Sequence, residues 1–570
     1  MNLLYFALAY ALCAIVAIVS PRVSYILSSA VSLALLFNSP NFFTVILSLV
    51  WIFTGLWSVN NRSKKDALLY SAIIFSIVII LASKSVFTFL AGWELMTIFA
   101  FFSIKNWKST YKFLAFGEIS TIFLLLGFSV ALATGVSFSN LYRSFAYPII
   151  FLLCSIGFMA KMEIFPFHIW APSAYRDAPT NISVLMSSCM TLMGVYGIVY
   201  LLSQSPPPEW IAVIMLLLGA VTSVYGALQA ATSENAKELL AYSTIENDGI
   251  ILVLLATFAI ASKYSKILSA FAITAVLFYA FFHSLSKALM LLSAGSAEKE
   301  KVSTLTALAG YVASLSLAAI PPLPGFTAEW MALETLFQSF DLHTPIKLLI
   351  VLVGALVALS AGICAVSMSK MAIYVFKRKS VKSSMYSLPL LILSAVIVSI
   401  GIYPPAVIKL SSPLVLEISG LKATSFLGGL LAIPKGLLII SGKGFGCISP
   451  TVLAAFLLSI SIAIGAISKL TFSSVRMCEP WTGGEKSENY DSAGYSMILR
   501  LTLRLFYGTE EDKCLVKWYD LTDRFYASAC RSFSDLCDEF RVKLMNGNIG
   551  YYVLYILVAM VAVLIYSILA

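Results

Sequence analysis

Long apolar runs follow one another along this chain, and they constrain its fold more than any other feature. They fall at about 3–20, 23–37, 42–57, 67–82, 86–104, 113–133 and 148–165, then at 182–202, 211–231, 239–261, 268–294, 305–337, 346–376, 388–403 and 452–470. A final run covers 551–570, while the run at 425–440 is interrupted by Pro434 and Lys435. A bilayer crossing needs roughly 20 apolar residues. The runs lack period-2 alternation, so they read as helices and not as barrel strands. The expected fold is an all-α polytopic membrane protein of roughly fifteen to seventeen spans.

Composition excludes the competing classes. Sixty per cent of residues are hydrophobic and only 12% charged, about half the roughly 25% charge of a soluble protein. A soluble enzyme, a nucleic-acid binder and a disordered chain are all excluded, despite a net charge of +10. The lipid bilayer is the expected environment. Nine cysteines without a CxxC pair, and three histidines, leave no ligand set for an iron–sulfur or zinc centre. The chain is apolar from Leu3 with no basic residue before it, which predicts a first span and not a cleaved leader.

The charges that remain are organised. A third of them lie between Arg476 and Lys543, where apolar and charged residues mix as in an amphipathic helical segment. Elsewhere the basic residues Arg62, Lys64, Lys65, Lys105, Lys108, Lys112, Arg176, Lys237, Lys299, Lys301 and the cluster Lys377 to Lys382 occupy every second loop. By the positive-inside rule these loops are cytoplasmic and the N-terminus is outside. The alternation requires 305–337 to cross once although Pro321-Pro322-Leu323-Pro324-Gly325 interrupts it. A second interruption, at Pro166, lies about 155 residues earlier. Paired broken helices in two halves of a chain point to inverted repeats with an ion path near the breaks.

A few charges fall inside spans, where each costs roughly 2.5–3.5 kcal/mol. They are Glu94, Lys161, Lys237, His283, Lys287, Glu329 and Lys370. Lys237 and Lys370 also suit lysines at helix ends, and His283 with Lys287 suits a hydrogen-bonded pair four residues apart. His168, beside the first break, suits a helix-break donor as well as a proton carrier.

These residues sit in recognisable company. Gly92-Trp93-Glu94-Leu95-Met96 resembles the glutamate helix of the antiporter-like subunits of respiratory complex I and of Mrp antiporters. Lys161-Met162-Glu163-Ile164-Phe165-Pro166-Phe167-His168-Ile169-Trp170, with Ala178-Pro179-Thr180, resembles their broken-helix lysine motif. Lys237 to Asn247, ending Glu246-Asn247, resembles the hydrogenase-4 component B branch of energy-converting membrane-bound hydrogenase complexes. His283 to Leu289 and Pro321 to Trp330 complete a set running from about Trp57 to Phe376.

The resemblance implies an ion-translocating subunit, moving protons or exchanging sodium for protons, in a redox-driven complex. Glu94 and Lys161 would be its coupling pair, and Lys237, His283 and Lys287 its central axis. Glu329 would be the terminal residue, and Lys370 resembles a lysine of the hydrogenase branch. Accessory positions are His168, Glu163, Glu246 and Asp248. Where relatives carry histidine or lysine after the Pro-Thr motif, this chain has Ser187 and Leu192, and Asp248 is a candidate compensator. The chain itself would hold no cofactor. Iron–sulfur clusters, and in the hydrogenase type a nickel–iron site, would sit in partner subunits, both membrane and peripheral. A cation/proton antiporter subunit without a redox partner and a transport-inactive structural subunit are the other readings. The implied location is the cell (plasma) membrane. The implied organisation is N-terminal helices at 1–60, an antiporter-like core at 61–385 and further spans at 386–470. A polar amphipathic segment at 471–549 and a last span at 550–570 complete it.

Overall fold

A computed structural model of the chain describes residues 3–299, 302–339, 342, 344–376, 387–426, 448–471, 507–512 and 515–544. The basic cluster Lys377 to Lys382, Lys301, nearly all of 425–440, the start of the polar segment and the final apolar run lie outside the described residues. The chain divides into two units, Met1–Tyr495 and Ser496–Ala570.

The first unit is helical throughout its described residues. It opens with α1 (Leu3–Val19), α2 (Pro21–Asn38), α3 (Phe42–Ser58), α4 (Lys64–Ala82), α5 (Val86–Phe101) and α6 (Trp107–Ala133). Small polar residues start these helices: the side chains of Ser20, Asn41, Ser63, Ser85 and Asn106 each accept an N–H of the first turn. Each cap satisfies a donor that lipid cannot. The central group is α7 (Tyr147–Lys161), α8 (Trp170–Asp177), α9 (Thr180–Leu185), α10 (Thr191–Gln204), α11 (Glu209–Thr232), α12 (Ala236–Ala261) and α13 (Lys266–Lys299). Then come α14 (Thr304–Leu317), α15 (Pro324–Phe337), α16 (Thr344–Tyr374), α17 (Ser387–Ile402), α18 (Pro405–Ser419) and α19 (Pro450–Thr471).

Among the described residues eight helices are long and apolar enough to cross a membrane, nine if the bent pair α17–α18 counts as one, and five more are shorter apolar helices. The protein is a multi-pass membrane protein. Where the sequence predicts roughly fifteen to seventeen spans, the described residues supply eight or nine full-length candidates and five shorter apolar helices. At the centre α12 is buried along its length, and α13 nearly so. Helix α12 lies so close to α11 that a Cβ at Gly226 would stand 2.5 Å from the Glu246 amide nitrogen.

The two proline breaks are built alike. Helix α7 ends with Glu163 at φ 59° and the Ile164 amide bonded back to Met159 O at 3.1 Å. Helix α14 ends with Ala319 at φ 52° and Ile320 bonded to Leu315 O at 3.0 Å. Both are left-handed helix closures of the type that satisfies terminal carbonyls. In both, the next amide bond returns to that isoleucine: Phe167 to Ile164 O and Leu323 to Ile320 O. At the first break Thr222 of α11 accepts the freed Phe165 amide at 3.1 Å. The paired breaks inferred from sequence are therefore one structural motif used twice.

The loops also fall where the charge pattern puts them. Asn61, Asp66, Lys105, Asn106, Arg176, Asp177, Lys237 and Glu298 come from alternate connections and line a single cleft of about 580 Å³. Intervening connections meet elsewhere, as where Tyr264 donates to Glu209 at 2.6 Å. Two elements differ from expectation. The chain bends by 77° after α17 into α18, which the apolar runs did not predict because Lys409, Pro413 and Glu417 break its pattern. In the second unit, the segment expected to be an amphipathic helix contains an antiparallel hairpin, β1 (Tyr507–Asp512) with β2 (Leu515–Asp520). It continues as α20 (Leu521–Leu544). Val516, Trp518 and Tyr519 are strand-favouring residues, which accounts for the difference.

Candidate ion-translocation path

Lys161 ends α7 at the first break and is buried. Its ammonium donates to Thr97 Oγ1 at 2.8 Å and lies over the rings of Trp93 and Phe113, at 5.6 and 5.9 Å from their centroids. Among the described residues no carboxylate oxygen comes within 4 Å of it, so Lys161 and Glu94 are neighbours and not a closed salt bridge. Glu94 accepts from Thr121 Oγ1 at 2.6 Å. A second carboxylate, Glu118 on α6, lies beside Glu94, and both charges act on Lys161. Sequence reading had passed over Glu118. The signal was present, since it stands alone among acids in an apolar run, as Glu94 does.

The second half holds a matching group. Lys287 on α13 is fully buried and donates to Leu240 O at 3.1 Å. The charges of Glu246 and Asp248 on α12, and of Glu163 at the first break, act on it. The Cys364 thiol of α16 donates to Leu317 O at 3.6 Å beside Glu246, and Glu329 on α15 faces both. His283 lies one helical turn from Lys287 and is buried with it. Asn247, between the two acids, accepts from Tyr279 at 3.0 Å.

Between these groups runs a line of hydroxyls. Tyr175 of α8 donates to Glu163 Oε1 at 2.5 Å and lies beside Ser187. Ser187 sits in a π-turn, Met186–Met190, between α9 and α10, and meets Thr244 of α12 at 2.8 Å. Thr244 donates to Leu240 O, the carbonyl that also holds Lys287. π-Turns inside helices recur at functional positions. Leu192, one turn on, is simply buried.

The remaining candidates lie apart from this line. His168 packs against Phe165 and edge-on to Tyr225 at 4.7 Å. Lys237 stands in the cleft, donating to Ala178 O at 3.2 Å and paired with Glu298 at 3.5 Å. Nearby Arg176, and then Ser109, hold the Asp177 carboxyl below its ordinary range. Lys370 donates to Ala231 O and Ser233 O at the C-terminal end of α11. Among the described residues no group of three or more His, Cys, Asp or Glu side chains is placed to hold a metal ion.

Residues 82–358, which carry these groups apart from Cys364 and Lys370, match the family model described as "NADH:quinone oxidoreductase/Mrp antiporter, TM". Hydrogenase-4 component B of Escherichia coli is 35% identical over 207 residues, 33% of this chain and 31% of that protein. The chain spans between about a third and a half of the length of the curated relatives it matches. A solved chain of the membrane-bound sulfane sulfur reductase, an archaeal respiratory membrane complex, has the same fold with a TM-score of 0.76 at 20% identity. That likeness covers 98% of this chain and 99% of the other. A chain of the Mrp complex from Dietzia sp. aligns with a TM-score of 0.68 at 15% identity, over all of this chain and 63% of that one. With its two matching broken helices and its line of lysines and carboxylates, the core of this chain, residues 82–358, is similar to the antiporter-like subunits of the complex I and Mrp antiporter family.

Proposed function

We propose that the protein is the ion-translocating membrane subunit of a redox-driven energy-converting complex, moving protons or exchanging sodium for protons. The carrying observation is a sequence of alternating charge laid along two helix breaks, with Lys161, Glu163, Lys287 and Glu246 buried and Glu94, Glu118 and Glu329 half-buried. Buried charges in a membrane are too expensive to keep for packing alone. Freed backbone at a break is tolerated where it lines a polar passage. Electron carriers, iron–sulfur clusters and a nickel–iron site in the hydrogenase type, belong in this reading to peripheral and membrane partners. The subunit sits in the plasma membrane, with its cleft cytoplasmic and its N-terminus outside, in keeping with the basic loops. A cation/proton antiporter subunit without redox partners is the second reading, favoured by the shared fold with the Mrp complex chain.

Copurification separates the two. The native assembly, extracted in mild detergent, is expected to contain subunits with iron–sulfur absorption. Their absence from an assembly that still transports would establish the second reading instead.

Lys370 has a different task. Two α11 carbonyls hold its ammonium, and a cation there complements the negative helix end. Lys370→Met is expected to lower stability by about 1–2 kcal/mol while ion transport stays within a factor of about two. A complete loss of transport in a stable K370M protein would put Lys370 back on the path.

A further inference from the structure

Glu163 is the least expected residue on the line. It is fully buried, holds a left-handed backbone conformation at φ 59° that favours glycine, and belongs by sequence to the first break. Its carboxylate, however, faces the second half of the chain: the charges acting around it are those of Asp248 on α12, Lys287 on α13 and Tyr175 on α8. Glu163 Oε2 and Asp248 Oδ2 are both buried oxygens without a hydrogen-bond partner among the described residues. Both are acceptors only while ionised, and a proton on either supplies the missing donor. Three carboxylates, Glu163, Glu246 and Asp248, beside one ammonium also leave two negative charges to be balanced. A hydroxyl line joins Glu163 to the carbonyl that holds Lys287: Tyr175, Ser187 and Thr244 in turn.

Deepening the reading above, we propose that Glu163 and Asp248 are the proton-carrying groups between the two halves of the chain, exchanging protons with Lys287 through Tyr175, Ser187 and Thr244. In one direction Lys287 turns from the Leu240 carbonyl that it shares with Thr244, and its Nζ–H bond breaks as the proton passes to Thr244 Oγ1. Each hydroxyl in turn gives its own proton forward, and the last O–H bond forms on Glu163. Lysine becomes a neutral amine, the carboxylate becomes a carboxylic acid, and no electrons move. Asp248 is the second carboxyl on which the same proton rests. Hydroxyls relay protons by accepting one and donating another, and they cannot pass a metal ion along in this way. The relay therefore serves protons and not sodium. It also explains how the halves communicate with Leu192 apolar between them.

The test uses the native assembly in proteoliposomes, with internal pH followed by a dye as the assembly turns over. Tyr175→Phe removes one hydroxyl from the line and nothing else. Glu163→Gln keeps the size and the Tyr175 contact while removing the titrating group. Each is expected to slow proton transport at least tenfold, with a larger slowing in D₂O than the unaltered protein shows, and Asp248→Asn to give an intermediate loss. Glu163→Asp, which keeps the acid, is expected to recover part of the rate. Should Tyr175→Phe and Glu163→Gln both transport protons within a factor of two of normal while Lys161→Met does not, the relay is wrong and the broader reading survives. Should Lys161→Met also transport normally, both fall together. Sodium-dependent, pH-independent transport through the unaltered protein would likewise overturn the relay.

Discussion

Replacing Lys161 by methionine is expected to abolish coupled ion transport, a loss of at least a hundredfold, without lowering the stability of the protein. The two halves of that expectation come from the same geometry. The ammonium is buried, holds one hydroxyl at 2.8 Å, and meets two ring faces instead of a carboxylate. Taking a charge from water into such a place costs several kcal/mol after relaxation, and an open ion pair recovers little of it. An apolar side chain of similar volume removes that cost, and such replacements are often neutral or stabilising by about 1–4 kcal/mol. A purely structural lysine would behave in the opposite way, because its loss would strand Glu94 and Glu118. Proton uptake by proteoliposomes and the melting temperature of the same preparation decide between them. Normal transport in K161M would remove Lys161 from the path. Glu94→Gln is expected to cost less, about tenfold, because Glu118 keeps a carboxylate at the same place. The double change Glu94→Gln with Glu118→Gln should approach the K161M loss, and such non-additivity is the signature of two groups sharing one task.

How much of this was legible beforehand depended on whether a residue's meaning lay in its own type or in its neighbours. Apolar runs, the alternation of basic loops and the two proline breaks follow from what a bilayer permits, so they could be read one segment at a time. Glu94, Lys161, Lys287 and Glu329 stood out because an intramembrane charge is conspicuous in any context. Glu118 met the same criterion and should have been found with them. Tyr175, Ser187, Thr244 and Cys364 could not have been. Serine and threonine in membrane helices commonly bond their own i−4 carbonyl, as Thr244 does with Leu240, and only the fold shows that Thr244 also touches Ser187, 57 residues away. The exchange of an expected cation for Ser187 and Leu192 was visible, and Asp248 was suspected of answering it. The part of Glu163 was hidden, because a residue placed beside Lys161 in sequence faces the other half of the molecule. Helix α18 was missed for a different reason: Lys409, Pro413 and Glu417 dilute its apolar face below the level of a span.

The second break makes a sharper structural demand than its prolines reveal. Gly325 begins α15 where that helix crosses the end of α14, and a Cβ there would stand 1.8 Å from the Ser316 carbonyl oxygen. That carbonyl belongs to the closure of α14, since it accepts the Ala319 amide at 3.2 Å, and the Ser316 hydroxyl ties α14 to Ser286 of α13 at 2.8 Å. Backbone cannot swing aside as the tip of a flexible side chain can, so Gly325→Ala must move one helix of the break. Overpacking of a well-filled interior costs typically about 1–3 kcal/mol, and a clash with main chain at this distance belongs at or above the upper end. Glu329 follows one turn later on α15, so the shift also displaces the terminal carboxylate from Glu246 and Cys364. Gly325→Ala is expected to lower the melting temperature and reduce transport more than tenfold. Gly362→Ala in α16 supplies the contrast, because a Cβ there meets nothing within 4 Å and alanine is favoured over glycine inside a helix by up to about 1 kcal/mol. That variant should be as stable as the unaltered chain or more so, with transport intact. The same chemical change thus carries opposite signs at two glycines of one membrane unit. If G325A proved as stable as G362A, the close crossing of α14 and α15 that sets Glu329 in place would be wrong.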